Sequence, residues 1–132
     1  MKYTNIILCI DDDEDDLEML SINFNQLVPE YQIITCNSGE KGLSQLDILR
    51  KENKLPSLIV LDINMPKMDG RETLQHIRDI PELVQIPVVI FSTSSSLMDK
   101  TYFERMGAAY FVKPVDMDQF RKVVHQLLHY CK

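Results

Sequence analysis

No segment of this 132-residue chain approaches the ~18 consecutive apolar residues of a membrane helix. The stretch Ile6 to Ile10 is too short for the apolar core of an export signal and runs straight into acids. Cysteine is scarce: Cys9, Cys36 and Cys131 are odd in number and show neither a CxxC pair nor the spacing of a disulfide framework. They fit a reducing compartment in which cysteine is a small apolar filler, so the expected address is cytoplasmic. Six prolines and four glycines are too few for a disordered or fibrous segment, and no linker, low-complexity tract or strict repeat is visible. Clustered positive charge is missing as well. A formal charge of −6 argues against nucleic acid or an anionic membrane as the main partner and for a protein or cationic one.

What remains is a composition of 45% apolar and 26% charged residues, that of a globular protein. The length fits one domain over residues 1–132 that buries about two thirds of its unfolded surface. Five short apolar runs read as buried strands: Ile6–Ile10, Ile33–Cys36, Leu58–Leu61, Val88–Phe91 and Ala109–Val112. Each is followed by a helix-length segment. The last has Phe120, Val123, Val124, Leu127, Leu128 and Cys131 at i, i+3, i+4 spacing, and the first has Leu17, Leu20, Phe24, Leu27 and Val28. The second uses Leu43, Leu46 and Leu49 on the way to a stop at Pro56, the third Leu74 and Ile77 before Pro81. The fourth, Leu97 to Met106, is thin in apolar residues and is entered through five consecutive hydroxyl residues, Ser92 to Ser96, so it is expected to be the most mobile element. Apolar strands separated by crossover helices imply an α/β fold, a parallel sheet with helices on both faces.

Asp11 and Asp12 follow the first strand, Asp62 ends the third, Ser92 the fourth and Lys113 the fifth, just before Pro114. In an open parallel sheet, the crevice beyond the carboxyl ends of the strands is where ligands bind. Three carboxylates with ordinary pKa values near ~3.9 ionise at neutral pH, and like charges ~4 Å apart repel by about 4 kcal/mol at an effective dielectric of ~20. One lysine leaves a surplus of negative charge, which favours a hard divalent ion such as Mg²⁺ with open positions for water and phosphate oxygens. An Asp beside such an ion can act as a nucleophile toward a phosphoryl group, with Lys113 and the Ser92 hydroxyl at hand for its oxygens.

These residues resemble the receiver domains of two-component response regulators, close to the single-domain chemotaxis type. The likeness covers nearly the whole chain and rests on five blocks in order. They are the acidic pair, Asp-x-Asn-Met-Pro-x-Met-Asp-Gly around Asp62, Ser92, Tyr110, and Lys113-Pro114. The resemblance implies a flavodoxin-like fold of five parallel strands in the order 2-1-3-4-5 and five helices. It implies Asp62 as phosphoacceptor and Asp12 as direct Mg²⁺ ligand, with Asp11 acting largely through water and the backbone carbonyl of Asn64 as a further ligand. Lys113 would contact a phosphoryl oxygen, Ser92 would be the switch hydroxyl and Tyr110 the aromatic whose rotamer reports the state. The resemblance also implies a cis Lys113-Pro114 bond, whereas sequence alone predicts trans, cis being found at ~5–6% of X-Pro bonds. Thr93 stands where relatives often have Ala or Gly, and Asn64 and Ser94 occupy positions that tune self-dephosphorylation in the family. The segment Leu49 to Leu55, longer than the family minimum, is similar to that of regulators paired with phytochrome-type kinases.

The expected partners are a sensor histidine kinase or histidine phosphotransfer protein and a downstream protein target, and a phosphorylation-linked homodimer is left open. The surface of the fourth helix, fifth strand and fifth helix would carry the readout, with no output domain and no activity beyond self-phosphotransfer and self-dephosphorylation. A phosphatase with an aspartyl nucleophile would want a second acid where Asn64 stands. A binding module that ignores phosphorylation would not need the full set of Asp11, Asp12, Asp62, Ser92 and Lys113. A phosphorelay shuttle uses the same residues as an effector. Asp13 to Asp16 read as a solvated run favoured by the positive end of the first helix. His76, His125 and His129 read as solvated, Met65 and Met68 as packing, and Asp69-Gly70 as a turn and helix entry.

Overall fold

The computed structural model describes residues 2–132. Five strands, β1 (Lys2–Ile10), β2 (Gln32–Cys36), β3 (Lys54–Leu61), β4 (Val88–Ser92) and β5 (Ala109–Val112), alternate with five helices. The helices are α1 (Glu14–Leu27), α2 (Gly39–Lys51), α3 (Gly70–Asp79), α4 (Leu97–Arg105) and α5 (Met117–Leu127). The strands pair in parallel in the order β2-β1-β3-β4-β5. This is the flavodoxin-like arrangement expected.

Pleating explains why the strands read as continuous apolar runs. Ile7, Cys9, Leu58, Val60, Val89 and Phe91 point to one face, where they meet Leu17, Leu20 and Phe24 of α1 and Phe120, Val124 and Leu127 of α5. Leu8, Ile10, Ile59, Leu61, Val88 and Ile90 point to the other, against Leu46, Leu74, Ile77 and Phe103. With both faces covered, the stretches Ile6–Ile10, Leu58–Leu61 and Val88–Phe91 carry no polar residue. Cys9 and Cys36 are buried in different layers, and all three cysteines are free.

Local chemistry sets the helix entries. Asp13, Ser38, Asp69, Ser96 and Asp116 each cap a helix by accepting hydrogen bonds from backbone N–H groups of its first turn. At the end of α4, Gly107 takes the left-handed conformation (φ +80°) that a side chain would resist.

Three expectations are corrected. The second helix stops at Lys51, not at Pro56: Asn53 turns the chain at φ 59°, and Pro56 lies inside β3 opposite Thr4. The β1–β3 register shifts between Thr4 and Ile7, and an irregular ladder tolerates a residue without an N–H. Thr4 Oγ1 donates to the Leu55 carbonyl and Ser57 Oγ to the Thr4 carbonyl across this irregularity. Both strands thus extend beyond their apolar runs into polar sequence. Finally, the Lys113-Pro114 bond is trans, because among the described residues no peptide is cis. Trans is the form that an X-Pro amide prefers by about 0.5–1 kcal/mol.

Candidate functional site

The sheet delivers its charged residues to one edge. Asp11 leaves β1 with its N–H bonded to the Cys36 carbonyl at 3.1 Å, and Asp62 leaves β3 with its N–H bonded to the Ile10 carbonyl at 3.0 Å. The sheet ladder therefore runs one step beyond each strand and fixes both acids. Asp11 and Asp62 are buried and Asp12 is exposed. One carboxylate oxygen from each lies within 4.8 Å of the others. Three convergent hard oxygen donors fit a divalent cation that prefers carboxylates and retains water.

Lys113 reaches this cluster from the end of β5. Its backbone N–H bonds the Ser92 carbonyl at 2.7 Å, and its Nζ lies 2.6 Å from Asp11 Oδ2, 2.8 Å from Asp16 Oδ2 and 3.7 Å from Asp62 Oδ2. Burial alone would lower the ammonium's pKa, but hydrogen bonds to Asp11 and Asp16 overcome it and hold the group above its usual range. Burial, with the charge of Asp62, pushes Asp11 up to about 7, against the pull of Lys113. Burial also raises Asp62, partly offset by the charge of Lys113.

Gly70 completes the wall. A Cβ there would lie 2.4 Å from the Asp62 carbonyl oxygen and 2.7 Å from Ile63 Cα, so only glycine lets α3 begin this close to the acid. Asp69-Gly70 is a helix entry as expected, and it also sets a close approach of backbones.

On the other side of the pocket, Ser92 is fully buried and its Oγ accepts from the Ser94 N–H at 3.2 Å. The Tyr110 hydroxyl donates to the Ser94 carbonyl at 2.8 Å, while Ser94 Oγ donates to Asp99 Oδ2 at 2.7 Å. Asp99 is also paired with Arg71 of α3, whose guanidinium lies over the rings of Tyr102 and Phe103. Asn64 is exposed two residues beyond Asp62, and Thr93 is exposed beside Ser92.

Residues 7–125 match the response regulator receiver domain family. The chain belongs to that family. Receiver domains are signalling modules phosphorylated by histidine kinases, and they bind Mg²⁺ or Mn²⁺ at an acidic pocket. This receiver is 28% identical to the protein PilH of Pseudomonas aeruginosa over 92% of its own length and 96% of PilH. It is similar to the crystal structure of the phosphorylated cyanobacterial phytochrome response regulator RcpA, with a TM-score of 0.86, 26% identity and coverage of 96% and 92% of the two chains. The Mn²⁺-bound form of response regulator Rcp1 gives a TM-score of 0.78, 29% identity and coverage of 92% and 89%. Other relatives are longer: the chain spans 42% of the transcriptional regulatory protein PhoP of Bacillus subtilis.

The structure brings Asp11, Asp12, Asp62 and Lys113 of this receiver together, with Ser92 joined to Lys113 through the backbone. Tyr110 is not in that cluster and meets it through Ser94. Sequence reasoning missed Asp16, which is no solvated member of an acidic run but a partner of Lys113. A signal was available: Asp16 precedes Leu20 by four residues, on the helix face that packs on the sheet. The bond between Arg71 and Asp99 has no such signal, since neither residue departs from an ordinary exposed helix pattern. Among the described residues no helix is long and apolar enough to cross a membrane.

Proposed function

We propose that this receiver takes a phosphoryl group onto Asp62 from the phosphohistidine of a sensor histidine kinase or histidine phosphotransfer protein. It would then act on a downstream protein target in the cytoplasm as a single domain. The observation that carries this reading is the placement of Asp62. It is a buried acid at a strand exit, 3.7 Å from a buried lysine and clustered with Asp11 and Asp12. A carboxylate oxygen of Asp62 attacks phosphorus, the P–N bond breaks, and the imidazole leaves after taking up a proton from solvent. Lys113 offers its ammonium to the incoming phosphoryl oxygens, and Ser92 its hydroxyl. Asp11, Asp12, Asp62 and the Asn64 carbonyl would hold Mg²⁺. That ion supplies positive charge against the equatorial phosphoryl oxygens.

The readout follows from the other half of the pocket. When Ser92 turns to the phosphoryl group, it gives up the Ser94 N–H, and the loop that anchors Tyr110 moves with it. The face of α4, β5 and α5 carries Leu97, Met98, Val112, Val115 and Met117 exposed, an apolar surface suited to a protein target or a second copy. Asn64 argues against turnover of external phosphomonoesters, since that position holds no acid.

The test is incubation with phosphoramidate or acetyl phosphate and Mg²⁺, read by intact mass. One added phosphoryl group on wild type and none on Asp62→Asn is the expected result. Labelling that persists in Asp62→Asn sinks the acceptor assignment, and a wild type that resists small donors and kinases alike points to a phosphorylation-independent binding module.

A further inference from the structure

We infer that Asp16 is a positioning residue that tethers the Lys113 ammonium beside Asp62, an inference that rests on Asp62 being the acceptor. An ammonium has three protons to donate. Two are taken up here, by Asp11 at 2.6 Å and Asp16 at 2.8 Å, while Asp62 at 3.7 Å lies just outside hydrogen-bond reach. The third is thus the one left for whatever arrives at Asp62.

The two anchors are not equivalent. Asp11 belongs with Asp12 and Asp62 to the group of carboxylates close enough to share a cation, and Asp16 does not. Asp11 and Asp62 would be shared between Lys113 and a divalent ion in that cluster, whereas Asp16 would not. Asp16 is therefore the anion that keeps the lysine in place once the pocket is loaded. Its own position is fixed from below, because the Asp13 side chain accepts from the Asp16 N–H at 3.1 Å and so sets the first turn of α1. A lysine on a four-carbon stem, with only one strand-end backbone bond behind it, otherwise has many rotamers to lose on meeting a phosphoryl group.

The experiment compares wild type, Asp16→Asn, Asp16→Glu, Lys113→Met and the double variant Asp16→Asn/Lys113→Met at saturating Mg²⁺, with thermal melts to confirm folding. Asp16→Asn should lower the saturating rate of labelling by phosphoramidate about tenfold, the scale of one charge-assisted hydrogen bond, with little change in the donor concentration for half-maximal rate. Asp16→Glu, which keeps the carboxylate, should recover most of that loss. In the Lys113→Met background the same Asp16→Asn change should matter less than about twofold, because the residue acts through the lysine. An equal loss with or without Lys113, or no loss at all, overturns the inference.

A second readout needs no donor: the side-chain ¹⁵Nζ resonance of Lys113 at saturating Mg²⁺. Slow proton exchange in wild type that becomes fast in Asp16→Asn supports the tether, and unchanged exchange overturns it. Failure of the acceptor reading would appear separately, as a wild type that takes no label while the lysine resonance still responds to Asp16→Asn.

Discussion

The two sides of the pocket are built on opposite plans. On the side of β1, β3 and α1, Asp11 and Asp62 are buried, their backbones and that of Asp16 are fixed by sheet or cap hydrogen bonds, and Lys113 meets three carboxylates. On the side of β4 and α4, Phe103 is the one buried residue of the helix, Leu97 and Met98 lie open, and position depends on the bonds linking Tyr110, Ser94, Asp99 and Arg71. The first region fixes geometry in many ways at once; the second holds one arrangement with few contacts, and it is from such regions that mobile elements are drawn. Chemistry and response can thus be perturbed separately.

The largest separation should come from Phe103→Ala. Emptying the only buried anchor of α4 should cost roughly 3–5 kcal/mol of stability by chemical denaturation, yet the folded fraction should still be labelled at Asp62. Loss of labelling in protein shown to be folded would mean that the two sides are not separable. Gly70→Ala should do the reverse. Its Cβ meets the backbone of Asp62 and Ile63, so a loss of about 1–3 kcal/mol should accompany a large drop in labelling rate, which intact mass at fixed times can follow. A smaller effect should appear in Arg71→Ala: labelling close to wild type, stability lowered by about 1 kcal/mol, and faster amide exchange confined to residues 93–99. Unchanged exchange there would remove Arg71 from the account of the loop.

A pH series sharpens the first region. Burial and the charge of Asp62 push Asp11 up to about 7 in the folded protein, and Asp62 shifts the same way, whereas unfolded carboxylates stay near ~3.9. The folded state therefore keeps protons that the unfolded chain has lost. The stability they contribute is full below about pH 4 and is lost as pH rises through about 7. Without divalent ions, Tm should fall by several degrees between pH 5 and 8, and Asp11→Asn should flatten that slope. A slope that survives in Asp11→Asn would assign it elsewhere.

How much could be read in advance follows the same division. The five strands announce themselves because both faces of the sheet are covered, so burial writes unbroken apolar runs into the chain. Asp62 was legible for the same reason, as an acid where such a run ends. The polar starts of β1 and β3 were not, since at an irregular ladder Thr4 and Ser57 side chains share the bonding and no apolar pattern is required. Asp16 was hidden among neighbouring acids that do face water. Arg71 and Asp99 were hidden because pairing between half-buried positions of different helices leaves no periodic trace. The trans Lys113-Pro114 bond agrees with the intrinsic amide preference and not with the family resemblance.

The route by which Lys113 meets its carboxylates also bears on how the protein is made. Asp16 and Lys113 are 97 positions apart, so their contact waits for nearly the whole chain. A chain that ends before β5 lacks the ammonium that lies against Asp11 and Asp16 in the complete sheet. Such non-local closures form late, after the cost of bringing distant segments together has been met. On the proposed reading, the ammonium that would meet the phosphoryl group reaches its place only once β5 has joined the sheet.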